Sequence, residues 1–554
     1  MTRVASRARF TASVAIAGAG PVGLSLALDL AWRGIDVVLL EQRAAGAVPS
    51  VKCNHVSSRS MEIFRRLGIA QQIRRAGLPD DYPNDVVLRT RATGYELTRI
   101  PIPARQDRFR RGCGPDTEWP TPEPPHRINQ IYFEPILFEH AAQTEGITLL
   151  NRTRVAGFNQ RHGVVEVLTR DLDTGAEGII ESCYLIGCDG GRSTVRRAIG
   201  AKLVGDEVIQ RVQSTYIRAP ALAELITPPP AWMSYLYNPE RAGNLIAIDG
   251  RERWLLHNYL LPHERDFDSV DRDRCLRTLL GVGAAFQYEI LGREDWIGRR
   301  LIAERFRDGR VFLCGDAAHL WVPYAGYGMN AGIADAMNLS WLLAAHLRGW
   351  APERILDAYE CERLPITEQV SRFAMRHAEG AIWERTHLPA ELEQDSPAGA
   401  AARVSVGRAA YALHVQQFAC AGLNYGYFYD ASPLIVYDGE APPSYTMADY
   451  TPSTVPGCRT PHLWLADGRS LYDALGPGYT LLRFVPDLEV GELLTAANQR
   501  GMPLALLDVR TREPQSLYQH PLLLTRPDQH VAWRGAAVPK EPHALVDRLR
   551  GAAA

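Results

Sequence analysis

Three short segments of this 554-residue chain combine residue types at spacings that can do chemistry. The first is Gly18-Ala19-Gly20-Pro21-Val22-Gly23, a G-x-G-x-x-G that follows an apolar run and opens a helical pattern. Positions without side chains permit a tight turn and let the backbone approach a pyrophosphate, which the helix N-terminus attracts with free amides and positive potential. Glu41 closes the next apolar run and can accept hydrogen bonds from a ribose diol. Strand, helix and acid in register specify a dinucleotide site without separating NAD from FAD. The second segment is Cys314-Gly315-Asp316-Ala317-Ala318-His319, followed by Pro323-Tyr324-Ala325-Gly326-Tyr327-Gly328-Met329-Asn330. A strand there delivers an aspartate at its carboxyl end, and the glycines let backbone amides face a flat ring. A helix N-terminus aimed at that ring would stabilise negative charge on a reduced flavin. The third, Cys188-Asp189-Gly190-Gly191-Arg192-Ser193, again reads strand, glycine turn, helix. Asp189 is either a turn residue capping that helix or part of a second cradle around the same long ligand.

The elements that must position these segments are legible in the hydrophobic pattern. Residues 14–17 form a short strand. Leu24, Ala27, Leu28 and Ala31 recur at helical spacing on one face, and Gly34 ends that helix. Residues 35–40 are the next strand, so the chain opens with a βαβ unit and a parallel sheet. A helix is expected over 59–68, capped by Ser57 or Ser58, a hairpin over 86–100 turning near Thr93-Gly94, and a helix over 132–144. The proline-rich stretch 101–125 is a candidate lid. Residues 203–298 alternate and are rich in Trp and Tyr, which predicts a mostly antiparallel sheet. A strand over 310–314, a long helix over 328–347 and two more helices to about 384 follow. The tail from about 400 reads as a further domain.

Composition excludes other classes. Apolar residues make up 46% and charged residues 22%, an ordinary globular profile. Lys+Arg 61 against Asp+Glu 63 gives a net charge of −2, which favours neither nucleic acid nor an anionic membrane. The nine cysteines form no Cys-x-x-Cys pair, so neither zinc nor a dithiol centre is expected. The first residues carry charge without an apolar core, and no run reaches transmembrane length, so a cytoplasmic chain is expected.

Taken in order, the three segments resemble the class A flavoprotein monooxygenases of the p-hydroxybenzoate hydroxylase type. Asp335-Ala336, Asn338-Leu339, Tyr359-Glu360, Arg363 and Pro365 extend the likeness. Pro456-Gly457-Cys458-Arg459-Thr460-Pro461-His462 and Arg526-Pro527-Asp528-Gln529-His530, with Trp533, resemble the C-terminal part of phenol and chlorophenol hydroxylases. The resemblance implies an α/β fold. A Rossmann-type FAD-binding domain (11–85, 127–202, 299–399) would carry an inserted β-sheet substrate domain (86–126, 203–298) and a thioredoxin-like C-terminal domain (400–554).

It also implies roles. Gly18, Gly20 and Gly23, with Pro21 and Val22, would hold the FAD pyrophosphate, and Glu41, followed by Gln42 and Arg43, the adenosine ribose. Arg59 and Gln130 would flank the cofactor, Val155 would meet adenine through its backbone, and Asp189 would serve the second turn. Asp316 would bond the ribityl chain, and Pro323, Gly326, Gly328, Met329 and Asn330 would line the isoalloxazine. The family often has Pro-Pro-x-Gly-Gly where this chain has Val322-Pro323-Tyr324-Ala325-Gly326. Asn54 stands where phenol hydroxylases place an aspartate beside the substrate hydroxyl. Asparagine takes no proton at neutral pH, which turns attention to His55 and, from the presumed substrate sheet, to Tyr216, Tyr235 and His257. The implied reaction is hydroxylation of a phenolic or related aromatic substrate with O2 and NADPH or NADH, through a flavin C4a-hydroperoxide. Rival readings are Baeyer–Villiger or epoxidising action on a polyketide, and an FAD-dependent reductase or dehydrogenase that inserts no oxygen. The expected partners are a small aromatic molecule and O2, with no nucleic acid and no membrane, and a homodimer is left open.

Overall fold

The computed structural model describes residues 9–512 and 516–553. Its first sheet has eight strands in the order Arg307–Asp308, Val311–Leu313, Glu177–Gly187, Arg9–Ala17, Val37–Leu40, Ile147–Leu150, with the hairpin Thr153–Arg161 and Val164–Asp171 attached to Glu177–Gly187. From Val311–Leu313 to Ile147–Leu150 every pair is parallel. Such strands are covered on both faces, and Val37–Leu40 is accordingly buried throughout. Register decides what this sheet can do. Ala17 lies beside Gly187 and Gly187 beside Leu313, so three strands end level. Each is followed at once by one of the three glycine-bearing segments, which therefore meet at a single carboxyl edge although they lie far apart in sequence.

The helix Pro21–Trp32 and the long helix Tyr327–Leu347 pack together behind that edge. The Val22 side chain fills the space that a Cβ on Gly315 or Gly332 would occupy. The two expected helices before residue 384 are one helix, Asp357–Thr386, with Pro365 inside it.

The second sheet has nine strands, in the order His319–Leu320, Trp296–Ala303, Leu203–Arg218, Arg253–Tyr259, Ala242–Ala247, Met233–Tyr237, Val86–Arg89, Glu96–Ile100, with Glu289–Arg293 also on Leu203–Arg218. It is antiparallel except where Met233–Tyr237 runs parallel to Val86–Arg89. The sheet continues past residue 298, because Trp296–Ala303 is one unbroken strand.

A third, four-stranded sheet runs Leu504–Asp508, Tyr479–Arg483, Leu522–Thr525, Val531–Gly535, with helices Gly491–Gln499 and Pro542–Leu549. The expected start of this unit near 400 is too early in packing terms. Helix Pro397–His414 lies on the second sheet, so close to strand Glu96–Ile100 that a Cβ on Gly407 would strike the Leu97 carbonyl. The stretch 101–125 is no free flap either: Asp116 is fully buried and holds both Arg108 and Arg127.

Candidate active site

At the first turn, each glycine excludes a side chain for its own reason. Gly18 has φ +103°, and a Cβ there would strike the Cys188 carbonyl, while a Cβ on Gly23 would strike the Gly18 carbonyl. Gly20 has no neighbour within 4 Å of its Cβ position. Protein packing demands the first two; Gly20 faces open space, where a ligand backbone can come close. Pro21 occupies the first helical position. Helices Ser58–Arg66, Gln130–Gln143, Thr194–Ala198 and Arg272–Leu280 all have an N-terminal amide capped by a side chain. Helices Pro21–Trp32 and Tyr327–Leu347 have no such cap, which leaves first-turn donors for an anion or a polar ring edge.

Glu41 is buried and accepts the Ala19 amide (2.9 Å) and the Arg43 amide (2.8 Å), so it braces the glycine turn from below. These bonds and the Arg43 charge hold its carboxyl below the usual range despite burial. Arg43 also pairs with Glu134 (2.6 Å), which accepts from Gln130 (2.6 Å). Gln42 is exposed and presents its carbonyl to Arg152. Val155 is buried in its strand.

Asp189 accepts the Thr194 (2.6 Å) and Val195 (3.2 Å) amides through Oδ2, and its Oδ1 is buried without a partner. Of its two sequence readings, the turn-and-cap role is the one realised in these contacts. Asp316 differs. Its carboxylate is exposed in the main cavity and accepts no protein hydrogen bond among the described residues. Donors from a polyhydroxyl chain would satisfy it. Gly20 and Asp316 together fit FAD: one spot with room for a ligand backbone, and one open acceptor that no protein group among the described residues bonds.

That cavity, about 340 Å3, runs from Asp316, Pro323, Gly326, Gly328 and Met329 to the second sheet, where Tyr235, His257 and Trp296 line it. Ala325 and Gly326 both adopt left-handed backbone (φ +58° and +59°), which turns the chain into helix Tyr327–Leu347. The His55 side chain lies against the Gly326 Cα, and its Nδ1 is 3.2 Å from the Ala325 carbonyl. A carbonyl only accepts, so Nδ1 carries the proton and Nε2, which has no partner, is the acceptor. Burial and the Arg127 charge push His55 well below its usual range. His257 is pushed down to about 4 by burial, so both histidines are neutral at pH 7. Asn54 accepts from Asn129. Tyr235 is buried, accepts from Gln417 (2.9 Å) and stacks on His414.

Three sequence assignments need correction. Tyr216 lies on Leu203–Arg218 beyond the cavity lining, half-buried against the core beside Arg253. Arg59 turns away from the cradle to Gln529 and the Asp528 carbonyl (3.3 Å), because its helix abuts the C-terminal unit. The Asn330 side chain is fully used within the protein. It accepts from the Ser57 amide and the Ser60 hydroxyl (both 2.8 Å) and donates to the His55 and Gly326 carbonyls (3.1 and 2.7 Å). It therefore locks the 54–60 loop onto the long helix and has no bond left for a cofactor. Sequence reasoning missed Lys52, Arg127, Trp232, Glu294, Trp321, Gln417 and Phe418, all at the cavity.

Comparison with known proteins decides the family. Residues 11–374 match the FAD binding domain model, and residues 453–553 match the model for the aromatic-ring hydroxylase C-terminal region. The chain belongs to the FAD-dependent aromatic hydroxylases. This hydroxylase is 30% identical to phenol 2-monooxygenase of Pseudomonas sp. (strain EST1001), over 97% of its own length and 92% of the relative's. It superposes on the rebeccamycin biosynthetic enzyme RebC with reduced flavin at TM-score 0.89, with 34% identity and coverage of 99% and 100% of the two chains. It superposes on aklavinone-11 hydroxylase, solved with FAD and aklavinone, at TM-score 0.80, with 26% identity over 98% and 99%. Its cofactor is FAD. No helix among the described residues of the hydroxylase is long and apolar enough to cross a membrane.

Proposed function

We propose that this enzyme uses NADPH or NADH and O2 to hydroxylate a phenolic or related aromatic ring. The observation that carries the reading is the single cavity with two unlike walls: Asp316, Pro323, Gly326 and Gly328 on one side, Tyr235, His257 and Trp296 on the other. The first wall would hold the ribityl chain and ring of FAD, and the second would hold a flat substrate against it. The chemistry FAD supplies when bound is reduction of O2 and delivery of one oxygen atom to carbon.

The protein's own work is positioning and dehydration of the site. Trp232, Trp296, Trp321 and Phe418 give flat apolar surface for an aromatic ring and keep water out. Tyr235, which accepts from Gln417, has no protein acceptor for its own proton among the described residues and can donate it to a substrate oxygen. Asn54 can orient a hydroxyl but cannot take its proton. His55 and His257 are neutral acceptors that can polarise an O–H bond.

The reading is tested by following NAD(P)H oxidation, O2 uptake and product mass across phenols, aryl acids and polycyclic quinones. A product heavier by one oxygen atom, formed in proportion to NAD(P)H consumed, supports it. NAD(P)H oxidation in which no member of the panel gains oxygen overturns it.

A further inference from the structure

Arg127 stands at the end of the proline-rich stretch and lines the cavity between Trp232 and Phe418, its guanidinium 5.2 and 5.8 Å from the two ring centres. The residue is only 4% exposed. Of its three nitrogens, Nη2 alone has a protein partner, Asp116 Oδ2 at 3.1 Å, and Nε is buried without one. Arg108 binds the same Asp116 oxygen at 2.9 Å. Two guanidiniums thus share one carboxylate, and the Arg108–Asp116–Arg127 cluster carries one positive charge in excess. A buried cation is normally paired, so the excess charge is unusual.

The neighbouring polar group has the same polarity. The direction of every bond in the network behind Tyr235 is fixed. Gln417 Oε1 accepts the Ala325 amide (3.3 Å), so Gln417 Nε2 must donate, both to Tyr235 Oη (2.9 Å) and to His414 Nδ1 (3.0 Å). His414 Nε2 then carries the proton toward Glu384 (2.8 Å). The hydroxyl hydrogen of Tyr235 is left free for whatever enters.

We propose that the Arg127 end of the cavity is a subsite for an anionic oxygen on an aromatic substrate, either a carboxylate or an ionised phenol or enol. The assignment rests on the hydroxylase reading for the word substrate, and on the excess charge and the donor-only chain for the ligand chemistry. It also accounts for the lack of a protonatable base at Asn54: a substrate that binds as an anion brings an oxygen already relieved of its proton. Arg127, which touches that oxygen, sets specificity, and Gln417 is a positioning residue acting through Tyr235.

Binding to the FAD-loaded enzyme can be followed by calorimetry with four naphthalene probes: 2-naphthoate, the ionised phenol 2,4-dinitro-1-naphtholate, and the neutral 2-naphthamide and 2-naphthol. One charge-assisted hydrogen bond corresponds to a preference of about tenfold or more for the anions over their neutral partners. Tight binding of one anion and not the other names the source of the oxygen. Arg127→Met should abolish the preference, Arg127→Lys should keep part of it, and Gln417→Leu should weaken it by freeing the Tyr235 hydroxyl to rotate. Should Arg127→Met fail to fold, Arg127→Lys and Gln417→Leu carry the test. Equal binding of charged and neutral probes, no binding of any, or an unchanged preference in the variants overturns the subsite. Oxygenated product made without charge preference would sink the subsite and leave the hydroxylase reading. Anion-selective binding without oxygenated product from any aromatic would do the reverse.

Discussion

Gly20 and Gly23 lie in one turn, yet a methyl group should affect them differently. At Gly23 it would overlap the Gly18 carbonyl, so Gly23→Ala should lower stability by roughly 1–3 kcal/mol. At Gly20 it meets no protein atom, so Gly20→Ala should leave the apoprotein melting temperature unchanged while FAD affinity falls about tenfold. Thermal melts with and without FAD, with a flavin titration, separate the two; a destabilised Gly20→Ala apoprotein would contradict the assignment. Asp316 gives a second contrast. Asp316→Asn should weaken FAD binding. Asp316→Ala should lose more FAD than Asp189→Ala, whose contacts are to its own helix. Flavin retained on a desalting column measures all three.

At the scale of elements, Asn330 joins the 54–60 loop to the N-terminus of helix Tyr327–Leu347 by four hydrogen bonds. At about 0.5–1.5 kcal/mol each, Asn330→Ala should cost roughly 2–6 kcal/mol, visible as a lower urea midpoint at constant slope. It should also release His55 from its place against Gly326. The same elements show what a sequence discloses. The three strand ends were legible because each runs into a glycine turn, and Gly18 and Gly23 are glycines that the backbone itself requires; that they end level was not, because register is set between strands far apart in sequence. Hydrophobic period marked the long helix and the Trp- and Tyr-rich sheet. Arg127 and Gln417 carry no such mark. One closes an irregular stretch and the other follows a helix assigned to a different domain, which reaches the cavity through the packing of Pro397–His414 on Glu96–Ile100. Arg59 misled for a related reason: its position in the helix was read correctly, but its direction depends on Asp528 and Gln529, which arrive from the far end of the chain.

For the whole molecule, the decisive contact is the buried cluster between the FAD-binding part and the C-terminal unit. Arg526 is fully buried and bonds both oxygens of Glu362 (2.6 and 2.8 Å) and of Asp528 (3.0 and 2.7 Å). Arg459 reaches Glu62 in the same seam. Removing one partner of a buried ion cluster costs about 3–5 kcal/mol, because the charges left behind remain dry. Arg526→Met should therefore split the melt into two steps, while Arg526→Met with Glu362→Leu should recover part of the loss; a single unchanged transition would show that the seam does not couple the units. The seam also sets acid tolerance. Arg526 holds Asp528 below its ordinary value, and His319 and Arg363 do the same for Asp335. The stability these carboxylates contribute is complete above their ordinary value of 3.8 and is lost as pH falls through the lower folded value. Loosening should appear only in strong acid, as a fall in melting temperature below about pH 4. No thiol redox role is expected of the C-terminal unit, since Cys458 is pushed up to about 11 by burial.

The central place of strand Arg9–Ala17 has a consequence for synthesis on the ribosome. One of its neighbours, Val37–Leu40, emerges almost at once, but the other, Glu177–Gly187, is translated much later, and the edge is completed by Val311–Leu313 later still. At roughly 5–20 residues per second the nascent first strand waits on the order of ten seconds with one side unpaired. Gln417, which lies at the substrate side of the cavity, and Arg526, which joins the C-terminal unit to the rest, come off later again. Ribosome-bound chains stalled before residue 177 should recruit chaperones through that open strand, and flavin should be captured only near the end of translation.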